Sequence, residues 1–131
     1  DGLSTDHLIM LRDGSEQKAA LPLIYSRYGS YREGIRSYFD YLQFDIFEMK
    51  DTANQLVVKA NENGGTTLAS RFNGDFFMQI RDNTQYIIHP DEIMADNFML
   101  AIQAYNGVGY SRFSDEGKNL IDELTNLLKT L

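Results

Sequence analysis

Chemistry needs side chains that titrate, ligate or attack, and this chain carries few of them in useful company. It has two histidines, His7 and His89, and no cysteine. Disulfides, thiolate metal sites and cysteine nucleophiles are therefore excluded. No nucleophile-elbow sequence accompanies the histidines, so nothing supports a Ser-His-Asp triad. The most chemically loaded stretch is His89-Pro90-Asp91-Glu92-Ile93-Met94-Ala95-Asp96-Asn97-Phe98. On a helix, Glu92 and Asp96 stand at i and i+4 and share a face, and like charges so placed repel. Gln103, seven residues beyond Asp96, can join that face. A nearby cation would reverse the penalty. His89 could add an imidazole or could simply cap the helix, while His7 sits beside an apolar run. A site joining His7, His89, Glu92 and Asp96 is conceivable from residue type. The plain alternative is a solvated acidic helix face.

The same stretch resembles the glutamate helix of gluzincin zinc metallopeptidases. In that group a Glu-x-x-x-Asp helix follows a separate His-Glu-x-x-His helix. The resemblance implies Glu92 as third zinc ligand and Asp96 as the carboxylate that orients a zinc-bound histidine, since a ligating imidazole needs its other N–H fixed. It implies zinc as the cofactor, with His89 as a further candidate ligand. Residues 88–98 are also similar to a His-Pro-Glu-Glu-type stretch in some uncharacterised bacterial members. The likeness spans residues 89–98 of 131, and the chain holds no His-Glu-x-x-His. A catalytic zinc site of this type needs three protein ligands and a glutamate acting on the bound water. The resemblance thus implies a non-catalytic or incomplete metallopeptidase-like domain acting as a binding or regulatory module. The alternative is part of an active zinc metallohydrolase whose remaining ligands lie on another chain or a missing segment. The chain begins at Asp1 without Met, as a processed form or excised domain would.

A second constellation suggests recognition rather than catalysis. Tyr25, Tyr28, Tyr31, Tyr38 and Tyr41 lie close in sequence, with Arg27, Arg32 and Arg36 among them. Tyrosine and arginine are favoured at interface hot spots. A plain protein-interaction domain using Tyr28, Tyr31 and Arg32 is therefore a third reading, with a protein or peptide as partner. The competing view is that these rings edge a core while their hydroxyls reach water. Gly64-Gly65-Thr66-Thr67 and Gly107-Val108-Gly109-Tyr110 lack the pattern of phosphate-binding loops.

Bulk properties narrow the partners. The chain carries 12 basic and 19 acidic residues, a net charge of -7, and its pI is about 4.7. Nucleic acid and anionic membranes are poor electrostatic partners for such a surface. No apolar run approaches the ~20 residues of a membrane helix. The length fits one domain, residues 1–131, large enough to bury a core.

The elements that must position these residues read as follows. Asp13-Gly14 between apolar runs signals a short N-terminal hairpin, with a short helix in either run as the competitor. Ser30 and Glu33 have capping-box spacing. Ile35, Phe39, Leu42, Ile46 and Met49 then mark a helical stripe. Ala53, Leu56, Val57 and Ala60 suggest a second helix stopped by Gly64-Gly65, although Val57-Val58 also permit a strand. Residues 66–82 are ambiguous, and Tyr86-Ile87-Ile88 read as extended. Pro90 suits the first position of a helix with Met94, Phe98, Ala101, Ile102 and Tyr105 as its apolar side, ended by Asn106-Gly107. Ser114 caps a last helix whose face is Leu120, Ile121, Leu124, Leu127, Leu128 and Leu131. The expected fold is mainly α, with α+β as the alternative, a single helical domain with short extended segments.

Overall fold

The computed structural model describes residues 5–52 and 55–130. Its fold is α+β rather than mainly α. Four antiparallel strands, β1 (Ile9–Asp13), β2 (Glu16–Ser26), β3 (Leu42–Thr52) and β4 (Gln55–Val58), come first. Three helices, α1 (Asn73–Ile80), α2 (Pro90–Tyr105) and α3 (Asp115–Leu128), follow. The chain divides into two compact units, Asp1–Asn73 and Gly74–Leu131.

The first unit is a meander, in the order β1-β2-β3-β4. The hairpin expected at Asp13-Gly14 is present: Asp13 pairs with Glu16, and Gly14 takes the left-handed φ of 57° that glycine tolerates. Arg71 ties this corner down, with Nε 2.7 Å from Asp13 Oδ2 and Nη2 2.5 Å from Glu16 Oε2. Register places Leu21 opposite Phe47, and these two with Met49 form a buried cluster on one face of the sheet. Leu23, Tyr25, Leu56 and Val58 pack around them. Pro22 is tolerated inside β2 because β1 ends opposite Ala20, leaving β2 a neighbour on one side only.

Two expected helices are absent here. The stripe Ile35–Met49 is a loop followed by β3, and Ser30 and Glu33 lie exposed in that loop rather than capping anything. The reason is visible in β3 itself. Both Ile46 and Phe47 are buried, on opposite faces of the strand, so apolar residues recur on both faces and imitate a helical period. The residues expected to form a helix after Asp51 contain β4, where Leu56 and Val58 turn inward and Val57 stays exposed, a period of two. Ala53 of that expectation lies outside the described residues. Gly64-Gly65 stops no helix; Asn61 and Gly65 close a turn instead, Asn61 N donating to Gly65 O at 2.8 Å.

The second unit is helical. α1 buries Phe76 and Ile80 while Phe77 and Met78 face outward. Tyr86-Ile87-Ile88 form no strand and lead through a turn into α2. α2 starts as expected, with Pro90 first and His89 as an extended N-cap residue. It ends as expected too. Gly107 has φ 83°, its N–H bonds Ala104 O at 2.9 Å, and Val108 N bonds Gln103 O at 2.9 Å, the Schellman arrangement. Of the expected inward side of α2, Ala101 is buried and the rest is not. Asn97 and Ala101 are buried, whereas Met94, Phe98, Ile102 and Tyr105 are exposed. α3 is capped by Ser114, whose hydroxyl accepts from Gly117 N at 3.0 Å. Its buried line is Gly117, Ile121 and Thr125, with Leu127 exposed; Leu131 lies outside the described residues.

A polar knot holds α2 to α3. Asn83 is buried, and its Nδ2 donates to Asn97 Oδ1 at 2.8 Å and to Gly117 O at 3.1 Å. Asn97 Nδ2 in turn donates to Ile93 O at 2.8 Å. Residue 117 must be glycine for this approach, because a Cβ there would collide with the side chains of Asn83 and Asp82.

Candidate functional site

The loop between β2 and β3, Arg27–Tyr41, gathers the tyrosines. Its base is closed by the last rung of the ladder, Ser26 opposite Leu42, and by Arg27 N donating to Tyr41 O at 2.6 Å. A long loop with joined ends and packing of its own is the Ω-type construction. Tyr41 is the hub. Its hydroxyl accepts from Arg32 N and donates to Arg32 O, both at 2.9 Å. Tyr28 meets the Tyr41 ring edge-on at 5.7 Å, and Tyr31 stacks on it at 6.4 Å. The Arg32 guanidinium lies 4.2 Å from the Tyr28 ring centre, a cation–π contact. Ser26 Oγ donates to Tyr28 O at 2.6 Å, and Ser37 accepts from Phe39 N at 3.2 Å to start the short 3-10 turn Tyr38–Tyr41.

These rings line an open recess of about 680 Å³ with Ile24, Ile35 and Arg36. Tyr31 is 80% exposed and Tyr38 74%, so both present faces to solvent while Tyr41 fixes Tyr31 from behind. At the recess base, Tyr25 donates to Asp45 Oδ2 at 2.5 Å, with Gln43 Nε2 donating to the same oxygen at 3.0 Å. Burial, then the Asp45 carboxylate, push the Tyr25 phenol up to about 12. The structure thus brings Tyr28, Tyr31 and Arg32 together. The sequence did not reveal Tyr41 as the residue that organises them, since its spacing is as good for a core ring.

The acidic residues of α2 form a separate constellation in the second unit. Glu92 is exposed in the first turn. Asp96, one turn on, is half-buried and accepts a hydrogen bond from the Thr84 hydroxyl. Thr84 is itself placed by accepting from Tyr86 N at 3.0 Å. His89 Nδ1 accepts from Asp91 N at 3.2 Å as a helix cap and stands 3.6 Å from Asp91 Oδ2. His89 and Asp96 are therefore engaged in local structure. Among the described residues, no three His, Asp or Glu side chains converge to hold a metal ion. The described side chains do not make up a zinc site, and no catalytic step follows from them.

No helix among the described residues is long and apolar enough to cross a membrane. Comparison with models of protein families, with curated proteins and with solved structures yields no match.

Proposed function

We propose that this protein is a binding module that captures an extended peptide segment in the tyrosine-lined recess of the first unit. The observation that carries this reading is the organisation of the loop about Tyr41, which holds the Arg32 backbone by two hydrogen bonds and stacks on the exposed Tyr31 ring. Rigid, half-wet aromatic side chains offer contact area at low entropic cost. Proline-bearing segments suit such a recess, because their preformed extended helix leaves its carbonyls free and docks on aromatic-lined grooves. The Tyr28, Tyr31 and Tyr38 hydroxyls and Arg36 supply donors for those carbonyls.

A proline-rich decapeptide titrated calorimetrically tests the idea. Binding on the order of 10–100 μM is expected, a range ordinary for peptide modules and worth about 5.5–7 kcal/mol. The double variant Tyr31→Ala with Tyr38→Ala should weaken it about tenfold or more. Equal binding by the variant, or no heat with the wild-type chain, would contradict the reading.

The α2 carboxylates favour a second reading. Asp96 is pre-oriented by Thr84 while Glu92 is left exposed one turn away. In that reading Glu92 contributes to a zinc site completed by ligands from another chain or segment, as the gluzincin-like stretch implies. Elemental analysis of the protein together with the chain or segment that supplies the remaining ligands, beside the same assembly with Glu92→Ala, checks it. Stoichiometric zinc lost in the variant is the expected result, and zinc retained by the variant, or absent from both assemblies, contradicts the reading.

A further inference from the structure

The outward face of α2 carries an unusual load. Met94 is 65% exposed, Phe98 51%, Met99 55% and Tyr105 56%, with Ile102 beside them. Met94, Phe98, Ile102 and Tyr105 follow the i, i+4, i+8, i+11 spacing of one helix stripe. Large apolar side chains are common singly on surfaces, but a continuous stripe of them marks an interaction face. Methionine suits such a face, being unbranched and able to re-pack against different partners.

Charge selects the occupant. α2 holds Asp91, Glu92 and Asp96 and no basic residue. Residues 74–131 hold nine acidic and four basic side chains, a balance of -5. At 100° per residue, Asp91 falls within the apolar stripe at its N-terminal end, and Glu92 and Asp96 fall beyond Met99 along one side. A second copy would set one surface of net charge -5 against another, which disfavours self-association. Anionic membrane is repelled for the same reason. We infer that the α2 face docks a basic amphipathic helix of a partner protein, its apolar side on Met94, Phe98 and Ile102 and its lysines or arginines toward Asp91 at the N-terminal end of the stripe and Glu92 beside Met99.

The probe is a synthetic helix of about 18 residues built from leucine and lysine at helical spacing, with a glutamate-for-lysine peptide as its control. The readout is the methionine methyl spectrum of the full chain. Met94 and Met99 methyls should shift on adding the lysine peptide, while Met10 and Met49 of the first unit remain in place. Phe98→Ser should weaken binding about tenfold, and Asp91→Asn with Glu92→Gln should weaken it and flatten its salt dependence. Three outcomes overturn the inference: no shift at Met94 and Met99, equal binding of the glutamate control, or shifts at these methyls on simple dilution, which would assign the face to a second copy. Loss of peptide binding at the tyrosine recess leaves this inference intact, because the two sites share no residue.

Discussion

Tyr25 joins the core of the sheet to the recess above it. Its ring meets Phe47 edge-on at 5.3 Å, and its hydroxyl rests on Asp45. A phenol raised to about 12 stays protonated in the fold where the unfolded chain, near 10, has ionised. Its contribution to stability is therefore complete below about pH 10 and lost as pH rises toward about 12. Absorbance titration of the wild-type chain should show a phenol ionising near 12 that is missing in Tyr25→Phe; an unchanged curve would contradict the placement. Tyr41 makes the second residue-scale case. Tyr41→Phe keeps the ring contacts and removes both bonds to the Arg32 backbone, which should cost about 1 kcal/mol. Amide exchange at Arg32 should accelerate with it, and unchanged exchange would count against Tyr41 as the hub. Neither role was legible in the sequence. Tyrosine spacing revealed a cluster, and which member is buried depends on how the loop closes.

At the scale of elements, the legible parts are the first hairpin and the last two helices. Pro90 with Asn106-Gly107, Ser114, and Asp13-Gly14 each fix a backbone geometry locally, and each expected element is present. The misread parts joined an apolar period to signals of the same kind, Ser30 with Glu33 and Gly64-Gly65, which serve a loop and a turn instead. β3 is apolar on both faces, so Leu42, Ile46 and Met49 fit a helix as well as a strand. The aromatic and β-branched run Phe44–Phe47 carries the strand preference that decides it. In α2 the period was right but only Ala101 of the expected inward side is buried, because burial follows the Asn83–Asn97 hydrogen bond rather than hydropathy. Two predictions follow for the knot. Gly117→Ala should destabilise the second unit by about 1–3 kcal/mol, read in denaturant melts, since Asn83 is held by its partners and cannot yield freely. Asp82 should titrate below the ordinary carboxylate value, because the Ser114 hydroxyl and amide donate to it. Its support of the α3 cap is then present above about pH 4 and lost as pH falls through the lowered value. Carboxyl NMR of Asp82, followed with the Gly117 amide, checks both the direction and the coupling.

For the molecule as a whole, charge and exposed surface point the same way. A chain at -7 gathers Arg27, Arg32 and Arg36 into one loop and leaves its helical half strongly acidic. The two candidate surfaces therefore differ in chemistry, one aromatic with arginine donors and one methionine-rich with a carboxylate rim. The most direct measurement is a backbone amide map of the labelled chain titrated with the proline-rich decapeptide. The account predicts shifts confined to residues 24–42, largest at Tyr31, Arg32 and Tyr38, with residues 74–131 silent. Shifts centred on α2, or none in the Arg27–Tyr41 loop at saturating peptide, would contradict it.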